Sequence, residues 1–219
     1  MAIEIRVIAV SMPKTTRIWW VGWLLICSNL WLGTAAGQEA SLPAVMPVSV
    51  KVTMHTSLGD ILLALAKDRA PVTVNNFLRY VDQKRFDGCN FYRAVKLDDE
   101  GKFGLIQGGL RGNPKRVLKP IAHEPTTVTG LSHVDGAISM ARAEPGTANG
   151  DFFIVVGDTV SYDAQPGGDP GYAAFGRVIE GMDVVRTILG QPRSEDGQGV
   201  MKGQMIANPV KILTVRRTE

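Results

Sequence analysis

The sequence has few of the side chains on which most catalytic sites depend. Two of its 219 residues are cysteine and three are histidine, and the histidines show no metal-ligand spacing. Ser132, His133 and Asp135 stand almost adjacent, whereas a Ser-His-Asp triad is assembled from separate elements, so we interpret this segment as a turn. No glycine-rich phosphate loop opens a helix. We therefore expect no metal and no cofactor, and any catalysis must do without a nucleophile.

Net charge is also scarce. The chain carries 24 basic and 21 acidic residues, a formal net charge of +3. Residues 1–36 hold three of the basic and one of the acidic residues, so the rest of the chain keeps 21 and 20, a net of +1. A nucleic-acid partner would need a concentrated basic face. The four basic residues of 111–119 are most simply a solvated loop, and we expect no nucleic-acid partner.

The one long apolar run is too short for an ordinary membrane-spanning helix. Residues 18–32 form a stretch of 15, whereas a spanning helix needs about 20. Basic residues precede the run and small residues follow it, which is the layout of a secretory signal peptide. We predict a signal peptide over 1–36, starting at Met1 or Met12, that directs the protein to the periplasm. The alternative is an uncleaved membrane anchor at 18–32.

Removal of the signal peptide would take Cys27 with it. Cys89 would then be the only cysteine, so we expect no internal disulfide. Residues 37–47 contain prolines and are predicted to be a linker. The remaining residues, 48–219, are predicted to form one domain whose stability comes from its hydrophobic core.

Hydrophobic periodicity predicts a mainly β domain. Alternation at 48–55 and the apolar run at 61–66 predict a hairpin. Apolar residues at i, i+3, i+4 and i+7 predict an amphipathic helix over 71–84, and a second short helix fits 181–189. Eight strands with only two helices favour a mainly antiparallel sandwich or closed barrel. The other six predicted strands are 90–95, 104–108, 137–141, 152–157, 173–179 and 209–215.

Five motifs in order resemble the cyclophilin family of peptidyl-prolyl isomerases. They lie in FYRAV and GLIQGG, then in GAISMARAEPGTANGDFFIVV, and last in GYAAFGRVIEGMDVV. The resemblance covers roughly 48–216 and is greatest to periplasmic bacterial members, although Tyr92 stands where the family has histidine. It implies a closed eight-stranded antiparallel barrel capped by two helices. It also implies a monomer that acts, without a cofactor, on unfolded or partly folded polypeptides containing proline.

The resemblance also implies the residues of the site. Arg93 matches the catalytic arginine, which stabilises the twisted X–Pro amide, and Gln107 matches the glutamine that orients it. Phe153 matches the floor of the proline pocket. The remaining substrate-binding positions are Phe103, Leu105, Met140, Ala141, Asp151, Tyr162 and Tyr172. Rotation about an amide neither makes nor breaks a bond, which agrees with the missing nucleophile.

Some positions depart from the family pattern. The pocket phenylalanine of the family falls on Gly104, and Phe103 would replace it only if the preceding loop bulges. Asp151 and Arg142 replace a glutamine and an asparagine, and we expect the carboxylate to pair with Arg93 or Arg142. Two alternatives therefore stay open: a proline-peptide-binding module with little turnover, and an interaction domain tethered to the membrane by its amino terminus.

Overall fold

A computed structural model describes residues 49–218 of the chain. The predicted signal peptide (1–36) and linker (37–47) lie outside the described residues. Within the described range, no helix is both long enough and apolar enough to span a membrane.

Nine strands and three α-helices make up the described part of the chain. The helices are α1 (Pro71–Asp82), α2 (Thr126–Thr129) and α3 (Met182–Leu189). Two single turns of 3-10 helix cover Val160–Tyr162 and Gly199–Met201. The strands are β1 (Ser49–Thr56), β2 (Gly59–Ala66), β3 (Cys89–Lys96), β4 (Gly104–Gly109), β5 (Ala137–Met140), β6 (Phe152–Val156), β7 (Ala173–Glu180), β8 (Arg193–Ser194) and β9 (Met205–Arg217).

Eight of these strands close into an antiparallel barrel. Their order is β1-β2-β7-β5-β6-β4-β3-β9, and β9 pairs again with β1 to complete the ring. The two-residue strand β8 adds to β9 outside the ring. The predicted closed barrel is confirmed, together with both predicted helices. The sequence patterns did not predict α2 and β8, because elements of four and two residues are too short to show a period.

Aromatic residues fill the interior of the barrel. Phe77 of α1 lies 5.0 Å from Phe86, 5.6 Å from Phe152 and 5.2 Å from Phe175, measured between ring centroids. Phe91 of β3 meets Phe152 edge-on at 5.8 Å. These side chains are almost completely buried, and aromatic rings contribute large apolar areas to a core. With its interior packed in this way, the barrel leaves its outer surface for a binding site.

The polar segment between β3 and β4 is a closed loop. The Leu97 N–H donates to the Phe103 carbonyl at 2.9 Å, and the Asp98 carboxylate accepts from the N–H groups of Lys102 and Phe103 at 3.2 and 3.0 Å. Lys96 then pairs with Gly104 in regular register. The loop therefore joins the two strands without displacing either of them.

Candidate active site

A β-bulge in β3 turns two consecutive side chains toward one groove. Phe91 pairs with Gly108 and Arg93 with Gln107, so the register shifts at Tyr92. The register with β9 also changes between Phe91, which pairs with Val210, and Arg93, which pairs with Met205. Bulges re-aim side chains and are common beside active sites. Phe91 is buried in the core, whereas Tyr92 and Arg93 both line cavities on the outer face of the barrel.

The guanidinium of Arg93 is held by two glutamine side chains. Its Nε and Nη2 donate to Gln204 Oε1 at 2.9 and 2.6 Å, and its Nη1 donates to Gln107 Oε1 at 2.9 Å. The Gln107 Nε2 in turn donates to the Tyr92 hydroxyl at 2.8 Å. A guanidinium has five N–H donors, so these three bonds leave two for a ligand. The donors are thus aimed before any substrate arrives.

Arg93 is a permanent cation in this groove. Burial lowers the pKa of Arg93 from its ordinary value, while Tyr92, Tyr162 and Tyr172 raise it. An arginine nevertheless stays charged in proteins. Burial also raises the pKa of Tyr92 and of Tyr162, so both hydroxyls are neutral at pH 7. Arg93 therefore contributes a fixed positive charge beside neutral hydroxyl groups, and Arg142 lines the same pocket as a second cation.

A pocket with an aromatic floor lies beside the guanidinium. It has a volume of about 240 Å³. The Phe153 ring meets Tyr162 edge-on at 6.0 Å and Tyr172 edge-on at 5.3 Å, so three aromatic rings form its floor and rim. A small apolar ring fits such a space, with its polar neighbours next to the donors of Arg93. The lining residues are Arg93, Leu105, Gln107, Ala141, Arg142, Phe153, Tyr162, Tyr172 and Met201.

A larger cavity of about 820 Å³ adjoins this pocket. Gln107, Ala141, Arg142 and Met201 line both spaces, which are therefore neighbouring compartments of one groove. The Arg142 guanidinium lies 4.9 Å from the centroid of the Tyr172 ring. It also donates to the Gly171 carbonyl, with Nε at 3.0 Å. These contacts hold Arg142 at the boundary between the two compartments.

Asp151 lines the larger compartment, but it does not make the expected ion pair. Its Oδ1 accepts from the Arg111 N–H at 2.8 Å. Arg111 has a φ of 49°, in the left-handed region that non-glycine residues rarely adopt, and the bond stabilises this turn. Arg93 and Arg142 donate elsewhere, and the ion pairs found among residues 49–218 do not include Asp151. Burial raises the pKa of its carboxyl group.

Seven of the ten predicted site residues line the smaller pocket together. They are Arg93, Leu105, Gln107, Ala141, Phe153, Tyr162 and Tyr172. Two other predicted residues lie elsewhere in the fold, and each has a simple geometric reason.

Met140 faces the core and not the groove. It pairs with Phe152, whose ring packs in the barrel interior, whereas the preceding residue Ser139 pairs with Phe153. Because successive side chains of a strand point to opposite faces, Ser139 and Phe153 share the outer face and Met140 the inner one. Met140 is accordingly part of the hydrophobic core.

Phe103 lies too far along the barrel to serve as the pocket phenylalanine. It stands four residues before Gln107, which corresponds to about 13 Å along an extended strand. The side chain is 43% exposed. Its ring packs against Gly157, where an added Cβ would lie only 2.5 Å from it. The bulge that would bring Phe103 closer does not occur, since Lys96 and Gly104 pair in register.

Two residues of the site were not predicted from the sequence. Gln204 holds the catalytic candidate Arg93, and Met201 lines the pocket. Both lie between α3 and the strand predicted at 209–215, where loops and a single 3-10 turn show no period. The strand in fact begins at Met205, opposite Arg93. If the predicted strand had begun at Met205, Gln204 would have been expected next to Arg93.

The residues of the groove are not suited to holding a metal ion. Across 49–218, no three His, Cys, Asp or Glu side chains are grouped so that they could bind one. The groove offers instead the held guanidinium of Arg93, a pocket with an aromatic floor, and side-chain amide and hydroxyl groups. This arrangement can bind a peptide segment and stabilise charge on it, without covalent chemistry.

Comparison with known proteins identifies the family of this barrel. The sequence profile of the cyclophilin type peptidyl-prolyl cis-trans isomerase/CLD family matches residues 51–217. Over 168 residues the chain is 36% identical to a peptidyl-prolyl cis-trans isomerase of Acinetobacter baylyi, covering 75% of this chain and 84% of that protein. It is 33% identical over 168 residues to peptidyl-prolyl cis-trans isomerase B of Escherichia coli, covering 74% and 98%.

A solved structure supports the same assignment of fold. The cyclophilin type peptidyl-prolyl cis-trans isomerase of Cryptosporidium parvum matches with a TM-score of 0.64 at 21% identity, over 78% of this chain and 99% of that one. The same protein in the presence of the dipeptide Ala-Pro matches with a TM-score of 0.63. The chain belongs to the cyclophilin-type peptidyl-prolyl cis-trans isomerases, and it is an isomerase with an eight-stranded barrel.

Proposed function

We propose that this isomerase accelerates rotation about X–Pro bonds in exported polypeptides, as a folding catalyst of the periplasm. Its substrates are proline-containing segments of unfolded or partly folded chains. Arg93 is the catalytic donor, Gln107 orients it, and the pocket over Phe153 receives the proline ring. The observation that carries the proposal is the clamped guanidinium of Arg93 at the edge of this pocket.

The physical problem of the reaction is the resonance of the amide. The barrier to rotation about a peptide bond is about 18–20 kcal/mol, so uncatalysed X–Pro isomerisation takes tens to hundreds of seconds. In the twisted state the proline nitrogen regains a lone pair that neither planar isomer has. A donor placed next to this nitrogen therefore binds the transition state more tightly than either ground state.

The geometry of the groove suits this task. Gln107 and Gln204 already occupy three of the donors of Arg93, which fixes the plane of the guanidinium. A donor that is fixed in advance needs no reorganisation when charge develops. The apolar walls hold the proline ring, so the two free donors face the amide nitrogen. Arginine suits the role because its charge is permanent and its fork of donors is rigid.

The amino-terminal sequence supports the proposed location. The apolar run at 18–32, the basic residues before it and the small residues after it match a secretory signal peptide. Exported chains fold outside the cytoplasm, where slow X–Pro isomerisation limits their folding just as it does inside. A soluble isomerase released into the periplasm would meet these chains while they are still unfolded.

The proposal is tested by expressing the full chain in a Gram-negative host. Protein from the periplasmic fraction is sequenced from its amino terminus and then assayed by NMR exchange on a short Ala–Pro peptide. We expect the first residue to lie within a few positions of Gly37, and the purified protein to accelerate the exchange. An intact amino terminus in the membrane fraction would refute release into the periplasm. A correctly processed protein that binds the peptide without accelerating exchange would refute catalysis.

A further inference from the structure

A completely buried histidine lies directly behind the floor of the proline pocket. His133 has an exposed fraction of 0%. Its ring is nearly parallel to that of Phe153, with an interplanar angle of 11° and centroids 5.9 Å apart. It also meets the ring of Tyr162 edge-on at 6.0 Å. The segment that the sequence presents as a simple turn therefore contributes a side chain to the underside of the site.

Both nitrogens of the His133 ring are bonded. Nδ1 lies 2.5 Å from Asp163 Oδ1, and Nε2 lies 2.9 Å from Ser139 Oγ. The same carboxylate accepts from the His133 backbone N–H at 3.0 Å and from the hydroxyl of Ser132. With Nδ1 donating to the Asp163 carboxylate, the neutral ring leaves Nε2 to accept from the Ser139 hydroxyl. Burial lowers the pKa of His133, although Asp163 opposes this effect, and the neutral tautomer satisfies every partner.

These bonds connect strand β5, beside the pocket floor, with the turn that carries the rim residue Tyr162. Ser139 belongs to β5 and is the direct cross-strand neighbour of Phe153. Asp163 directly follows the 3-10 turn that carries Tyr162. At the start of that turn, the Thr159 N–H donates to the His133 carbonyl at 2.8 Å. The rim turn, residues 160–163, is thus hydrogen-bonded to His133 at both of its ends.

We infer that His133 is a positioning residue for isomerisation, which holds the rim turn at 160–163 and the ring of Phe153 at the spacing that fits a proline ring. The inference rests on the proposed function, since it concerns the same pocket. His133 does not line the pocket, so it acts through Phe153 and Tyr162 and not by contact with substrate.

This role has a kinetic signature that differs from that of the catalytic arginine. The pocket walls contact the proline ring in the planar and in the twisted state alike. A loosened pocket therefore weakens binding of ground state and transition state together, which raises KM and leaves kcat nearly unchanged. Loss of the Arg93 donor acts on the twisted state, so it lowers kcat instead.

The test compares two substitutions in the full-chain protein. His133→Phe keeps an aromatic ring against Phe153 but removes both side-chain hydrogen bonds. His133→Asn keeps a donor close to the position of Nδ1 and can still bond Asp163. The control Val185→Ala opens a small cavity under α3, since Val185 is fully buried there and lies outside both compartments of the groove. Thermal unfolding and NMR-exchange kinetics on an Ala–Pro peptide are measured for each variant.

We expect His133→Phe to raise KM about tenfold, because both side-chain hydrogen bonds of the ring are lost and the pocket relaxes. The kcat should stay within about threefold, and His133→Asn should recover part of the lost affinity. Val185→Ala should lower the unfolding temperature and leave KM unchanged.

Several results would overturn the inference. One is a folded His133→Phe variant with the KM of the wild type, and another is a parallel change of KM in the Val185→Ala control. If His133→Phe does not fold, Ser139→Ala removes only the Nε2 partner, and an unchanged KM in that folded variant counts against the role. A wild-type protein without isomerase activity would instead refute the proposed function itself.

Discussion

The removal of Arg93 is the most direct test of how the groove works. In Arg93→Ala, the Oε1 atoms of Gln107 and Gln204 lose their donors. Gln107 is buried, and an unsatisfied buried acceptor costs about 1–3 kcal/mol. For a domain of this size, each kcal/mol lowers Tm by about 2–4 °C. The variant should therefore remain folded at 25 °C.

The effect on catalysis should be much larger. Removal of one preorganised donor from a site of developing charge typically costs about 10²–10³ in kcat, which corresponds to about 2.7–4 kcal/mol. Arg93 is partly buried and already oriented, so we expect a loss of at least about 10² in kcat/KM. Arg93→Lys should recover less than about tenfold, because an ammonium on a flexible stem cannot bond both glutamines and still face the substrate.

The assay pairs isomerase turnover on an Ala–Pro peptide with thermal unfolding of the same preparations. Arg177→Ala serves as the control, since Arg177 is an exposed strand arginine of β7 outside the groove. Wild-type turnover in a folded Arg93→Ala variant would refute the catalytic role. An unfolded variant would show that Arg93 is needed for the barrel itself.

Three further predictions follow from the site and the surface. Tyr92→Phe removes the acceptor of the Gln107 amide and should lower kcat several-fold with little change in Tm. An unchanged kcat would show that Gln107 does not orient the guanidinium through this bond. Asp151→Gln should alter the preference for residues before proline, and identical kcat/KM values across a panel of X–Pro peptides would remove Asp151 from the site. Ion pairs with Arg217 and Arg216 lower the pKa of Asp82 and of Asp87 below their ordinary values, so the stability they contribute is present above about pH 4 and is lost as the pH falls further. Replacing both aspartates by asparagine should reduce, by about 1 kcal/mol or less, the fall in the free energy of unfolding at acid pH. Acid unfolding curves as steep as those of the wild type would contradict this prediction.

The changes from the family pattern concern the walls of the groove more than its centre. Met201, from the loop before β9, contributes apolar surface to a pocket in which Phe103 has no part. Asp151 is bonded to a backbone N–H and Arg142 to a carbonyl, so neither disturbs the contacts of Arg93. We therefore expect these positions to affect the choice of peptide and not the type of reaction.

Local sequence alone was sufficient to predict most of the secondary structure. Alternation at 48–55 and the helical spacing at 71–84 each bury one face of an element, and a half-buried element shows its own period. For this reason the main strands and both longer helices were predicted correctly from the residues, whereas the closed barrel was predicted from the family resemblance. Arg93 and Gln107 show no such period, and they were proposed because FYRAV and GLIQGG resemble motifs of the family.

The remaining features depend on contacts between distant parts of the chain. Gln204 reaches Arg93 across 111 residues, and Asp163 reaches His133 across 30. Such distances have no period in the sequence, and they become short only when the barrel closes. The inward face of Met140 follows in the same way from its pairing with β6. Local residue preferences thus determined the elements and the family motifs indicated the reaction class, whereas closure of the barrel decided which side chains orient the arginine and shape the pocket.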